Sequence, residues 1–199
     1  MKTVSTILFF LITICIGSLS AQNKSNLEII YQLIDRTVVK ADSAIGGTQN
    51  IYLNITNPPM LDVLKPRILE AFSSKGFVLI DKQDELAKSV GYTLVTANVK
   101  YKDSFSDGLF GGTSLLREVN LNGSILVTGK NRIIKPLQFS ETFTDTIKLD
   151  ELNSIENQTL PFTQAKIPSL PLLSNLWEPI IVVGTLIVTV ILLFTVRSK

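Results

Sequence analysis

Serine and lysine are the residue types with which this chain could attempt covalent chemistry, and they are scattered along it. A Ser-Lys dyad needs a hydroxyl held beside a lysine amine kept neutral by burial, and no spacing here singles out such a pair. Histidine is absent, which removes Ser-His-Asp and Cys-His mechanisms, imidazole-ligated zinc and histidine proton switching. The single cysteine, Cys15, lies in the apolar start of the chain, so the remainder has neither disulfides nor thiolate sites. Carboxylates gather at Asp81, Asp84 and Glu85, and at Asp150 and Glu151. Neither group has the alternating ligands and turn glycine of a calcium loop, so both read as caps and solvated helix starts. The glycine-rich residues 104–113 end Gly111-Gly112-Thr113 ahead of a strand, where a phosphate loop needs Gly-Lys-Ser/Thr ahead of a helix. The sequence therefore assigns no catalytic residue, no metal site and no cofactor.

The two apolar ends decide where the rest is expected to work. Lys2 precedes an apolar run from Ile7 to Ile16, and then come Gly17-Ser18-Leu19-Ser20-Ala21. A basic start, a short apolar centre and a small-residue finish make residues 1–21 a secretory leader, cut after Ser20 or Ala21. From Ile180 to Val196 there is again no charge, with Trp177 just before and Arg197 and Lys199 just after. Residues 177–196 are expected to form one transmembrane helix, with Trp177, Arg197 and Lys199 at the interfaces and residues 197–199 cytoplasmic. That topology puts the bulk of the chain on the periplasmic side of a bacterial inner membrane. The formal net charge is +2 without a basic block, so no nucleic-acid partner is expected.

Between the ends, residues 22–158 are long enough for one core, and residues 159–176, with Pro161, Pro168 and Pro171, read as an extended stalk. Leu27, Ile30, Tyr31, Ile34, Val38 and Ala41 recur at helical spacing after Ser25-Asn26, and Gly46-Gly47 ends that helix. Residues 50–56 alternate as a strand up to Pro58-Pro59, and Leu64, Ile68 and Phe72 mark a second helix that stops before Gly76. Phe77-Val78-Leu79-Ile80 reads as a short buried strand, followed by a polar helix around Asp84 to Lys88. Three longer strands are predicted over 93–102, 118–128 and 133–147, the last broken near Pro136, with a short closing helix at Leu149, Leu152 and Ile155. In the first of these, Thr93, Val95, Ala97, Val99 and Tyr101 should share a face. The expected fold is α+β: a two-layer sandwich of a mixed, mostly antiparallel sheet with helices on one face, plus the C-terminal membrane helix. Residues 103–117 are left as a long loop. Its Phe105, Leu109 and Phe110 are apolar where loop tips are normally polar, and are expected to touch a partner or else to fold back as a satellite core.

The run Ile68-Leu69-Glu70-Ala71-Phe72-Ser73-Ser74-Lys75-Gly76-Phe77-Val78-Leu79-Ile80-Asp81, followed by a polar segment and the strand from Tyr92, resembles the small α/β modules of bacterial envelope-assembly proteins. These include outer-membrane assembly lipoproteins, curli-secretion subunits and the N-terminal domain of the Tol translocation protein. The similarity covers residues 49–147. It departs from the lipoproteins at Cys15, which follows Ile14 and not the small residue that lipidation needs. The resemblance implies a non-enzymatic interaction or assembly factor of the cell envelope with a protein partner. A small-ligand or lipid-binding module, with a cavity between sheet and helices, is the alternative; a minimal Ser-Lys hydrolase is a third.

Overall fold

A computed structural model describes residues 23–47, 50–81, 87–106, 112–129, 132–169 and 177–197. The leader, the acidic Asp84 and Glu85, and the loop residues Leu109 and Phe110 lie outside them.

Helix α1 (Asn26–Ile45) starts where Ser25 and Glu28 exchange reciprocal hydrogen bonds as a capping box, which satisfies two of the free N–H groups at the helix start. It ends at Gly46, whose φ of 65° suits a residue without Cβ. Ile29, Ile30, Leu33, Ile34, Val38, Ala41 and Ile45 form its buried stripe. Strand β1 (Asn50–Thr56) follows, then a 3-10 turn (Pro59–Leu64) running into helix α2 (Lys65–Ser74). Arg67 of α2 bonds Asp35 of α1 at 2.5 and 2.7 Å and lies 5.5 Å from the centre of the Tyr31 ring, which joins the two helices. Strand β2 (Val78–Ile80) is an edge strand with Val78 exposed, so the buried strand expected there is corrected: only Phe77, just before it, is buried.

Strands β3 (Lys88–Ser106), β4 (Thr113–Gly129) and β5 (Arg132–Lys148) complete one five-stranded sheet in the order β2-β1-β3-β4-β5. β1 is parallel to β2 and β3, while β3, β4 and β5 are antiparallel. The helices cover one face, and the expected mixed α+β sheet is present. β5 runs on through Pro136, because β5 lies at an edge and a proline there forgoes no ladder partner on its outer side. The ladder slips by one residue at Ile134 just before it, where Val127 pairs with Lys135 and Thr128 with Ile133. The alternation in β3 is corrected. Leu94 pairs with Gly123 and Thr96 with Asn122, so Val95 is an extra residue at a bulge. Val90, Tyr92 and Leu94 are buried before it, Ala97, Val99 and Tyr101 after it, and Val95 itself is turned outward at 57 % exposure.

Two further expectations change. The long loop over 103–117 is mostly hairpin, since Phe105 pairs with Ser114 and Ser106 with Thr113. The stalk is not extended at its start: after helix α3 (Leu152–Ile155), the 3-10 turn Pro161–Thr163 tucks Phe162 and Thr163 into the core.

The transmembrane expectation is overturned. Helix α4 (Trp177–Arg197) forms, and its side chains from Ile180 to Thr195 are exposed. Among the described residues, however, no helix is long and apolar enough to cross a membrane. Glu178-Pro179 and Arg197 bound the uncharged run 180–196, which at ~1.5 Å per residue spans ~26 Å against a hydrocarbon core of ~30 Å. The single-pass anchor falls with it.

Aromatic rings fill the space between the layers. Phe72 meets Phe77 at 5.9 Å and Tyr92 edge-on at 6.0 Å, and Tyr92 meets Phe139 at 5.5 Å. Phe139 occupies the place a side chain at position 123 would take: a Cβ on Gly123 would lie 2.1 Å from the Thr93 carbonyl oxygen and 2.5 Å from the Phe139 ring. Gly123→Ala should therefore destabilise the domain by about 2 to 3 kcal/mol, as overpacking does. Gly91→Ala, whose Cβ would meet Leu126 at an ordinary 3.8 Å, should leave thermal unfolding nearly unmoved. Equal melting temperatures for the two variants would refute this packing.

Candidate functional site

Two polar regions stand apart from the apolar core, one buried at an end of the sheet and one spread over its outer face. The buried one is centred on Arg117 of β4, which is fully enclosed. Its Nε and Nη2 donate to the two carboxylate oxygens of Asp145 on β5 at 2.7 and 2.5 Å. Its Nη1 donates to the Lys24 carbonyl and to Asn26 Oδ1, both at 2.8 Å. Asn26 Nδ2 in turn donates to the Thr163 carbonyl at 2.7 Å and to the Tyr101 hydroxyl at 3.2 Å. Tyr101 donates to Glu156 Oε1 at 2.8 Å, and the same oxygen accepts the Ala165 N–H at 3.2 Å. Burial pushes the Tyr101 hydroxyl well above its ordinary value, so it stays a donor throughout the physiological range. These groups bond one another and the backbone, so the cluster is a structural joint. It offers no free nucleophile and no acid-base pair facing solvent.

The outer face is different. Asn98, Asn120 and Thr142 stand opposite one another on β3, β4 and β5, with Thr142 donating to Asn120 at 2.8 Å. In the neighbouring row Asn122 donates to Thr96 at 3.0 Å. Beside these rows the bulge leaves a depression of about 450 Å³ lined by Val95, Asn122, Ser124, Gln138 and Ser140, with Gly123 and Phe139 beneath. Its rim is made of neutral amides and hydroxyls around one exposed apolar side chain. The charged groups lie further along the sheet, where Lys102 bonds Glu118 and holds its carboxyl below the usual range, with Asn120 adding to the effect. This cavity opens on the solvent side of the sheet and not between sheet and helices, where a lipid-binding module would need it.

The residues singled out from the sequence fall as follows. Phe105 sits near the end of β3, exposed and paired with Ser114, and not on a loop tip. Leu109 and Phe110 are outside the described residues. Trp177 and Arg197 are the first and last residues of α4, with side chains outside the description, as is Lys199. Lysine contacts run to carboxylates or a carbonyl: Lys40 to Glu141, Lys65 to Asp62, Lys102 to Glu118 and Lys88 to the Ile45 oxygen. No group of acidic or thiol side chains able to hold a metal occurs among the described residues.

No family model matches the chain, and no curated protein matches it by sequence. Solved structures do. A minor lipoprotein from Acinetobacter baumannii aligns at a TM-score of 0.35 and 12 % identity, over 66 % of this chain and 87 % of its own. The rare lipoprotein B from Shewanella oneidensis aligns at 0.30 and 11 %, over 48 % of this chain and 68 % of its own. Its structural neighbours include bacterial lipoproteins. At these scores function has to be argued from the chain itself.

The joint went unnoticed in the sequence although a signal was there. Arg117 holds an inward position between Leu115 and Val119, and Asp145 holds one between Phe143 and Ile147. Opposite charges at inward positions of two hairpin strands point to a buried pair. Both buried tyrosines carry a testable consequence. Tyr92 and Tyr101 are raised above 10.0 by burial, so their stabilising effect is full below the unfolded pKa of ~10 and is lost as pH rises beyond it. Alkaline unfolding followed by circular dichroism should show stability falling from about pH 10 upward, and Tyr101→Phe should flatten that fall. An unchanged slope in the variant would contradict the burial assigned to Tyr101.

Proposed function

We propose that this chain is a non-enzymatic binding module of the bacterial cell envelope, working outside the cytoplasm with an envelope protein as partner. The observation that carries the reading is the bulge at Val95, which shifts the β3–β4 register and presents an apolar side chain amid neutral amides and hydroxyls. Bulges re-aim side chains at functional places, and an apolar centre within a polar, uncharged rim is the anatomy of a modest protein interface. The secretory leader read in residues 1–21 supports export. The resemblance to envelope-assembly modules supports the setting.

The test places a photo-reactive side chain at Val95 of the full chain in its native cells, with Arg36 on α1 as control. The expected result is one discrete adduct from position 95 in the envelope fraction and none from position 36. Recovery of the chain with the cytoplasmic fraction, or no adduct from either position, would refute the reading.

A further inference from the structure

Strand β5 is last in the sheet order, so one of its edges has no ladder partner, and among the described residues no other backbone bonds to it. Helix α1 lies over its inner face and leaves the edge itself open. Long open edges are normally guarded by proline, by lysine or by charges pointing inward. Here the proline, Pro136, stands near the hairpin end. The two inward charges, Glu141 and Asp145, are already matched by Lys40 and Arg117. From Leu137 to Ile147 the edge thus carries no unmatched charge and no strand breaker. Its outward residues Gln138, Ser140, Thr142, Thr144 and Thr146 are all neutral hydroxyls or an amide.

We propose that β5 pairs antiparallel with β5 of a second copy of this chain, about a two-fold axis through Thr142, giving a ten-stranded sheet across the dimer. The register is chosen by the side chains. With Thr142 on the axis, Ser140 stands opposite Thr144, Gln138 opposite Thr146, and Leu137 opposite Ile147. These are favourable cross-strand combinations, and Pro136 falls beyond the last apolar pair. Phe139 faces Asp145 and Glu141 faces Phe143, so no like charges oppose. Moving the axis to Glu141 would set Glu141 against itself, and moving it to Phe143 would set Glu141 against Asp145. The same patch serves both copies, as a closed two-fold contact requires. A strand from an unrelated protein would have no reason to find this self-matching order.

Cysteine crosslinking of the full chain, in a Cys15→Ser background, tests the pairing. Thr142→Cys should form a disulfide dimer under mild oxidation, because directly opposed antiparallel residues lie within disulfide reach. Gln138→Cys alone should stay monomeric on a non-reducing gel, yet link to Thr146→Cys when the two variants are mixed. A Thr142→Cys chain that does not link overturns the proposal, as does a Gln138→Cys chain that links to itself as readily. Association through the apolar helix α4 alone would double the mass without the Thr142→Cys link, and would also count against it.

Discussion

The buried guanidinium of Arg117 is the interaction on which the rest of this fold depends. It touches three separate parts of the chain, the backbone ahead of α1, the first residue of α1 and strand β5 through Asp145, and by way of Asn26 it reaches two more, Tyr101 on β3 and the closing segment at Thr163. A cation without solvent is tolerated only where its donors are met, and each of its three nitrogens donates to an oxygen. The order of elements makes such a joint necessary. Helix α1 comes first in the chain yet must lie across β4 and β5, which are made last, and the segment after α3 must return to the same end. Apolar packing alone would let these ends slide; a forked cation with fixed directions does not.

The one-sidedness of the sheet follows. Helices, aromatic rings and the Arg117 joint are all on the inner face, leaving on the outer face of β3, β4 and β5 rows of Asn, Thr and Ser beside the Lys102–Glu118 pair and the exposed Val95 and Leu126. The bulge at Val95 is where the two faces exchange a residue. Gly123 and the ring of Phe139 lie under it, so the depression on the outside and the tight packing on the inside share one local irregularity. Binding on this face would leave the core undisturbed, which suits a module whose polar interior is already committed to holding its ends together.

Much of this was legible from residue order. The helix start at Ser25-Asn26, its end at Gly46-Gly47, strand 50–56 and the helix marked by Leu64, Ile68 and Phe72 all rest on local chemistry, and all appear in place. What escaped the reading depends on pairing. The alternation of β3 looked continuous because Val95 is as apolar as its neighbours, and only the partner strand shows it to be the extra residue. Residues 103–117 looked like a loop because Asp103, Ser104 and Ser106 are poor in apolar groups, yet the hairpin extends through their backbone. The prolines after Thr159 suggested a stalk, while Phe162 shows that a Pro-containing segment can still pack. The C-terminal run reads as a membrane span because it carries no charge from Ile180 to Val196, yet among the described residues no helix is long and apolar enough to cross.

The most direct test of the central claim is the unfolding free energy of Asp145→Ala beside that of the double variant Arg117→Met with Asp145→Leu. If Arg117 is the buried joint, the single change strands a cation in the core and should cost about 3 kcal/mol or more, while the double change should recover most of that loss. A single change costing under ~1 kcal/mol, as for an exposed surface pair, would contradict the account.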